Sequence, residues 1–248
     1  MKILAIDDLH HFFEDTLISH GCVVDYKLDI HSKTELIEII KNYDVLAVRS
    51  KFYIDKEIID TLPEGFVIAR AGAGMDNIDE VYCLQKNIRL VNAPEGNRDA
   101  VAEHVIGMLL SKYRNILKSH KEICNKQWLR EENRGIELKG KTIGIIGFGN
   151  TGSTLAKKLS GFEMNILAYD KYLSEIKDKN VKQVSIKEII SESDIISLHV
   201  PLTSETRHMI NADFLNALEK THFLINASRG KVIKTSDLVQ ALKSGKIL

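Results

Sequence analysis

Along the first hundred residues, short apolar runs rich in β-branched residues alternate with segments whose apolar positions recur every three or four. Residues 2–6, 22–26, 45–48, 66–69 and 88–91 predict strands, each closed by polar or turn-forming residues. Residues 12–19, 33–41, 56–62 and 81–86 predict helices, the second carrying Leu36, Ile37, Ile39 and Ile40 as its apolar side. Strands alternating with helices imply βαβ units and a parallel sheet covered on both faces. Such sheets take ligands beyond the carboxyl ends of their strands. The segments Arg49-Ser50-Lys51 and residues 70–77 occupy those ends.

Proline and glycine punctuate Asn92-Ala93-Pro94-Glu95-Gly96-Asn97, the clearest break in the pattern. Residues 99–120 then predict one long connecting helix, with Val101, Val105, Met108, Leu109 and Leu117 at roughly helical spacing. A second alternating series begins near Lys141, with strands at 142–146, 165–169, 194–200 and 222–226. Its helices fall at 153–159, 186–191, 211–218 and 236–243. A chain of 248 residues favours two cores over one. The expected fold is α/β, in two lobes across a cleft, residues 1–97 and 98–248, each with a mainly parallel sheet.

Composition narrows the function more than the fold. Hydrophobic residues make up 44% and charged residues 27%, and 34 Lys and Arg balance 34 Asp and Glu. A nucleic-acid partner would call for a basic excess or stripe, which is not visible. No apolar run approaches the roughly 18 residues that span a bilayer, so no membrane partner is expected. The acidic turn after residues 2–6 makes a poor signal peptide. Cys22, Cys83 and Cys124 are odd in number and widely spaced, which fits a reducing compartment and a cytoplasmic location. No spacing of Cys and His matches a metal site.

The strongest chemical signal is Gly147-Phe148-Gly149-Asn150-Thr151-Gly152, directly after one strand and at the opening of a helix. A G-x-G-x-x-G string alone is weak, but here the βαβ context is present and an acidic residue, Asp170, follows about 20 residues on. Gly147 suits the tight turn, Gly149 the close approach of a pyrophosphate, and Gly152 the packing of helix on strand. The amides of Asn150, Thr151 and Gly152 then face the phosphates. Asp170 accepts hydrogen bonds from a ribose diol and repels a 2′-phosphate, which points to NAD rather than NADP.

With Arg70-Ala71-Gly72-Ala73-Gly74-Met75-Asp76-Asn77, the whole chain resembles the D-isomer-specific 2-hydroxyacid dehydrogenases, and most of all their phosphoglycerate dehydrogenase-like branch. Val48-Arg49-Ser50, residues 92–97, His199-Val200-Pro201-Leu202-Thr203 with Thr206-Arg207, and Asn226-Ala227-Ser228-Arg229-Gly230 support the resemblance in this order. It implies a flavodoxin-like substrate domain over residues 1–97 and a Rossmann NAD-binding domain over 98–248. It also implies hydride transfer between nicotinamide and C2 of a small D-2-hydroxy or 2-oxo acid.

Arg229 matches the arginine that holds the substrate carboxylate and polarises the C2 oxygen, a task suited to a planar guanidinium fork. Gly72, Ala73 and Gly74 match the loop whose amides receive that carboxylate. Arg49 and Ser50 match substrate-side positions, although Arg49 is equally suited to an ion pair between domains. Asn150, Thr151, His199, Val200, Pro201, Ala227 and Ser228 match positions lining the NAD groove, as does Ala73. His199 does not match the catalytic position. Lys51 beside Arg49 makes the substrate mouth cationic and favours a phosphorylated acid such as D-3-phosphoglycerate. The long helix after Asp99, together with the two-fold habit of soluble enzymes, leads to the expectation of a homodimer.

The family's glutamate and histidine pair is expected downstream of Gly230, and no residue up to Leu248 matches it. Residues 246–248 read as the start of a strand. The expectation is that the C-terminal part of the family fold is absent from this chain and that dehydrogenase activity requires residues beyond Leu248. Two further readings stay open: an NAD(H)-sensing binding protein, and a non-catalytic NAD-binding remnant.

Overall fold

The alternation of the first hundred residues folds into one five-stranded sheet in which every pairing is parallel. The computed structural model describes residues 1–219 and 222–248. The strands are β1 (Lys2–Ala5), β2 (Val23–Tyr26), β3 (Val45–Val48), β4 (Val67–Arg70) and β5 (Arg89–Asn92), in the order β2-β1-β3-β4-β5. That is the flavodoxin-like order. The helices are α1 (His11–Ser19), α2 (Lys33–Ile40), α3 (Lys56–Ile59) and α4 (Glu80–Gln85). β3 lies at the centre, and all four of its residues are buried, as a strand covered on both faces must be. One face packs Leu4, Leu46, Val48 and Ile68 against Leu36, Ile58 and Cys83 of the helices. The other places Ile3, Ala5, Val45 and Ala47 against Phe13 and Leu17 of α1. A capping box between Ser32 and Glu35 starts α2, worth about 1 kcal/mol.

The chain divides at Gly96, with Met1–Gly96 and Asn97–Leu248 forming two compact units. In the second, β6 (Thr142–Ile146), β7 (Asn165–Tyr169), β8 (Val181–Gln183), β9 (Ile195–Leu198) and β10 (Phe223–Asn226) make another all-parallel sheet. The order β10-β9-β6-β7-β8 is the Rossmann order read from its far side. Six helices accompany it among the described residues: α5 (Arg98–Tyr113), α6 (Ile116–Cys124), α7 (Asn150–Leu159), α8 (Ile186–Glu192), α9 (Ala212–Ala217) and α10 (Thr235–Lys243). On one face, Ala102, Val105 and Leu109 of α5 and Leu155 and Leu159 of α7 bury Ile143 and Ile145 of β6. On the other, Ile189, Phe214, Leu215 and Ala241 cover Ile146, Ile196 and Leu198.

The single helix expected over residues 99–120 is instead two. Asn115 breaks it, in the left-handed conformation with φ 53°, which Asn tolerates better than most residues. The amide of Ile136 donates to the Tyr113 carbonyl at 2.8 Å, replacing the intrahelical partner that carbonyl would otherwise have. Gly135 permits this approach, since a Cβ there would stand 2.7 Å from the same oxygen. The short strand β8 was not expected from the sequence. Residues 246–248 meet His222 through one parallel bridge at Ile247, which is buried. Among the described residues no helix is long and apolar enough to cross a membrane.

Candidate functional site

Three glycines shape the turn from β6 into α7, each for a different geometric reason. Gly147 has φ +93°, and a Cβ on it would lie 2.8 Å from the backbone carbonyl of His199. Gly152 sits where a Cβ would reach 2.1 Å from the Gly147 oxygen. Around Gly149 no protein atom lies within 4 Å of the Cβ position, so the backbone is open to a ligand. Gly149 is also the N-cap of α7, and no side chain caps the helix. The first-turn amides, including those of Asn150, Thr151 and Gly152, therefore present their partial positive charge outward.

Asp170 follows the end of β7. One carboxylate oxygen accepts from the Phe148 amide at 2.8 Å. The other accepts from the amides of Tyr172 at 2.9 Å and Leu173 at 3.3 Å. A carboxylate has about four acceptor positions, so one remains for a ribose hydroxyl. The same side chain thus ties the glycine turn to the segment after β7.

Gly147, Gly149, Asp170, His199, Val200 and Pro201 line one cavity of about 390 Å³. His199 is 9% exposed, and its Nε2 is 2.8 Å from the Ser197 hydroxyl. Its buried Nδ1 has no hydrogen-bond partner among the described residues. Burial lowers the imidazole pKa to about 4, so the ring is neutral near pH 7 and is no proton donor there. Thr206 holds the loop beyond Pro201 by donating to the Pro201 carbonyl, at 2.6 Å, and accepting from the Thr203 amide, at 2.8 Å.

Ala227, Ser228 and Arg229 lie beyond the end of β10 and do not line that cavity. Asn226 shapes the segment: its Oδ1 accepts from the Ser228 amide at 3.0 Å, and its Nδ2 donates to the Arg229 carbonyl at 2.9 Å. In the first unit, the amides of Arg49, Ser50 and Lys51 converge on one oxygen of Asp7, at 2.7, 3.3 and 3.4 Å. The Arg49 side chain remains exposed. Gly72 donates its amide to the Arg70 carbonyl at 2.9 Å. The Arg70 guanidinium lies where a Cβ on Gly72 would be. Asn92 fixes the next residue by donating to the Ala73 carbonyl at 2.7 Å. Among the described residues no backbone carbonyl accepts from the amides of Ala73 or Gly74.

Sequence reasoning passed over Asp7, Ser197, Asn226 as a positioning group, and Lys171, Tyr172 and Glu205 on the cavity wall. Only the Thr203-x-x-Thr206 spacing hinted at a braced turn around Glu205. Among the described residues no group of three or more His, Cys, Asp or Glu is placed to hold a metal ion.

The family model described as "D-isomer specific 2-hydroxyacid dehydrogenase, NAD binding domain" matches residues 106–248. The chain belongs to this family. The D-3-phosphoglycerate dehydrogenase of Methanocaldococcus jannaschii is 38% identical over 250 residues, covering 100% of this chain and 47% of the relative. The hydroxypyruvate reductase of Thermotoga maritima is 39% identical over 215 residues, 87% of this chain and 70% of the relative. Among solved structures, an acyclic imino acid reductase in complex with NADPH and D-Arg superposes with a TM-score of 0.88 at 28% identity, covering 100% of this chain and 80% of that one. The chain spans about half the length of the D-3-phosphoglycerate dehydrogenases it matches. The matched span, residues 106–248, lies within the second unit, where the open Gly149 backbone and uncapped α7 fit a dinucleotide pyrophosphate.

Proposed function

We propose that the protein serves as an NAD-dependent D-2-hydroxyacid dehydrogenase, interconverting a small 2-hydroxy acid and the corresponding 2-oxo acid. The observation that carries this is the Gly147–Gly152 turn, open only at Gly149, feeding an uncapped helix beside the Asp170 carboxylate. The amides from Gly149 to Gly152 hold the pyrophosphate, Asp170 the ribose diol, and His199, Val200, Pro201, Ala227 and Ser228 flank the cofactor. When bound, nicotinamide accepts or supplies the hydride at C2. In the second unit Arg229 is assigned to the substrate carboxylate and the C2 oxygen; in the first unit Ala73 and Gly74 are assigned amides for a carboxylate, and Gly72 shapes their loop. Arg49 and Ser50 complete the substrate side, where the Arg49 and Lys51 charges favour a phosphorylated acid, D-3-phosphoglycerate being the first candidate. The name of the Methanocaldococcus jannaschii relative supports that choice. None of these residues supplies the proton, since His199 is held neutral.

The test is oxidation of NADH by 3-phosphohydroxypyruvate, hydroxypyruvate, glyoxylate and pyruvate in turn, together with direct NADH binding. Binding without turnover of any 2-oxo acid, by a form of the protein that also carries the family's glutamate and histidine, would defeat the oxidoreductase reading and leave an NAD-binding protein. The free thiols of Cys22, Cys83 and Cys124 support a reducing, cytoplasmic setting. A homodimer is also part of the proposal: Leu117 of α6 and Trp128 beyond it are 73% and 79% exposed, large apolar side chains that a second copy would cover. A monomer by sedimentation velocity at micromolar concentration would refute that element.

A further inference from the structure

The cavity beside the glycine turn has two walls, the segment after β7 with Asp170, Lys171 and Tyr172, and the loop after β9 with Thr203 and Glu205. One side chain ties them together. Glu205 pairs through one carboxylate oxygen with the Lys171 ammonium, at 2.7 Å, and accepts through the other from the Tyr172 hydroxyl, at 3.0 Å. Each end of this bridge is braced by backbone. Asp170 accepts from the Tyr172 and Leu173 amides. The Thr203 and Thr206 hydroxyls each accept from the other residue's amide, at 3.2 and 2.8 Å, across the turn that carries Glu205.

Among the described residues lining the cavity, Lys171 is the only lysine or arginine. It adjoins Asp170, the residue assigned to the ribose diol, and a free ammonium there would attract the extra phosphate of NADP. We propose that Glu205 is a cofactor-specificity residue: by holding Lys171 in an ion pair, it withholds the cation that a 2′-phosphate would need. Discrimination against NADP then rests on two carboxylates with different tasks. Asp170 repels the phosphate directly, and Glu205 occupies the cation that would offset the repulsion. The direction of the titration shifts agrees: hydrogen bonding and charge from Lys171 lower the Glu205 pKa, and Glu205 raises that of Lys171.

This inference rests on the NAD-binding reading of the cavity, and its test separates the two. Lys171 and Glu205 side chains are 56% and 52% exposed, so breaking the pair should barely alter stability, and thermal melting of the variants checks this. Affinities for NADH and NADPH are measured by cofactor fluorescence on the whole chain, for the unmodified protein, Glu205→Gln, and Glu205→Gln with Lys171→Ala. Glu205→Gln keeps an acceptor for Tyr172 and removes the charge. It should raise the NADPH-to-NADH affinity ratio about tenfold, the effect of one unit charge across a few ångströms of partly hydrated protein. Adding Lys171→Ala should return the ratio to its starting value. An unchanged ratio in Glu205→Gln, or a raised ratio that survives removal of Lys171, would overturn the proposal. Absence of NADH binding by the unmodified protein would instead overturn the reading of the cavity itself.

Discussion

Two alanine substitutions three residues apart should fail in opposite ways. In Gly152→Ala the new methyl lands 2.1 Å from the Gly147 carbonyl oxygen and 3.2 Å from Ile145 Cγ2. Neither neighbour can swing aside, because the first is backbone and the second belongs to a buried strand. Helix α7 must therefore withdraw by roughly 1 Å to restore ordinary contact. That strains the packing of Leu155, Ala156 and Leu159 against Ile143 and Ile145. Overpacking of this kind costs about 1–3 kcal/mol, which should lower the melting temperature of the second unit by roughly 2–10 °C. In Gly149→Ala the methyl meets nothing within 4 Å. Its φ of −77° and ψ of −154° suit alanine, so stability should stay within about 1 kcal/mol. Yet NADH affinity should fall about tenfold or more, because the added methyl stands where a pyrophosphate would approach. Circular-dichroism melting and NADH fluorescence titration on both variants decide the matter. If Gly149→Ala binds NADH as the parent does, no phosphate approaches that backbone and the argument from the open glycine collapses.

Arg229→Lys in a form of the protein that turns over should lower kcat/KM by about 10–100-fold at unchanged NADH affinity, because the charge survives while the bidentate fork is lost. Unaltered kinetics would make Arg229 structural. Asn115→Ala should cost about 1 kcal/mol for placing a Cβ residue in the left-handed region, while Asn115→Gly should cost less; equal urea midpoints would count against the strained-break account. His199 has a folded pKa near 4 against about 6.5 unfolded. The unfolded chain therefore takes up this proton first, and stability should fall by about 2 kcal/mol between pH 7 and pH 5. His199→Gln should flatten that slope in urea titrations, and an equal slope in both proteins would show that the imidazole is not buried neutral.

Elements whose cause is local were readable in advance. Val45–Val48 and residues 143–146 are continuous runs without a polar side chain, bounded by polar or turn-forming residues, and a doubly covered strand suits such a run. The glycine turn was readable because each glycine answers a separate steric demand. The break between α5 and α6 was not, since Val105, Leu109 and Leu117 continue at helical spacing across Asn115. What stops the helix is a hydrogen bond from Ile136, 23 residues beyond Tyr113. β8 escaped because three residues are too few to show a period. Asp7 carries no motif, and the threonines around Glu205 mark a turn without naming its partner; the tasks of both carboxylates arise only when distant loops are brought to within hydrogen-bonding reach.

Asp7 has a consequence of its own. Three consecutive amides gathered around a point form the concavity in which proteins usually seat an anion from solution, yet here the anion is supplied by the chain. The ordering entropy of residues 49–51 is thus settled when the first unit folds rather than when a ligand arrives, and a ligand reaching this loop need not stiffen it. The same arrangement closes the backbone of the loop to visitors. On the proposed substrate-side reading, an acid meeting this loop would be met by side chains such as that of Arg49, and those can be exchanged one at a time without disturbing the path of the main chain beneath them.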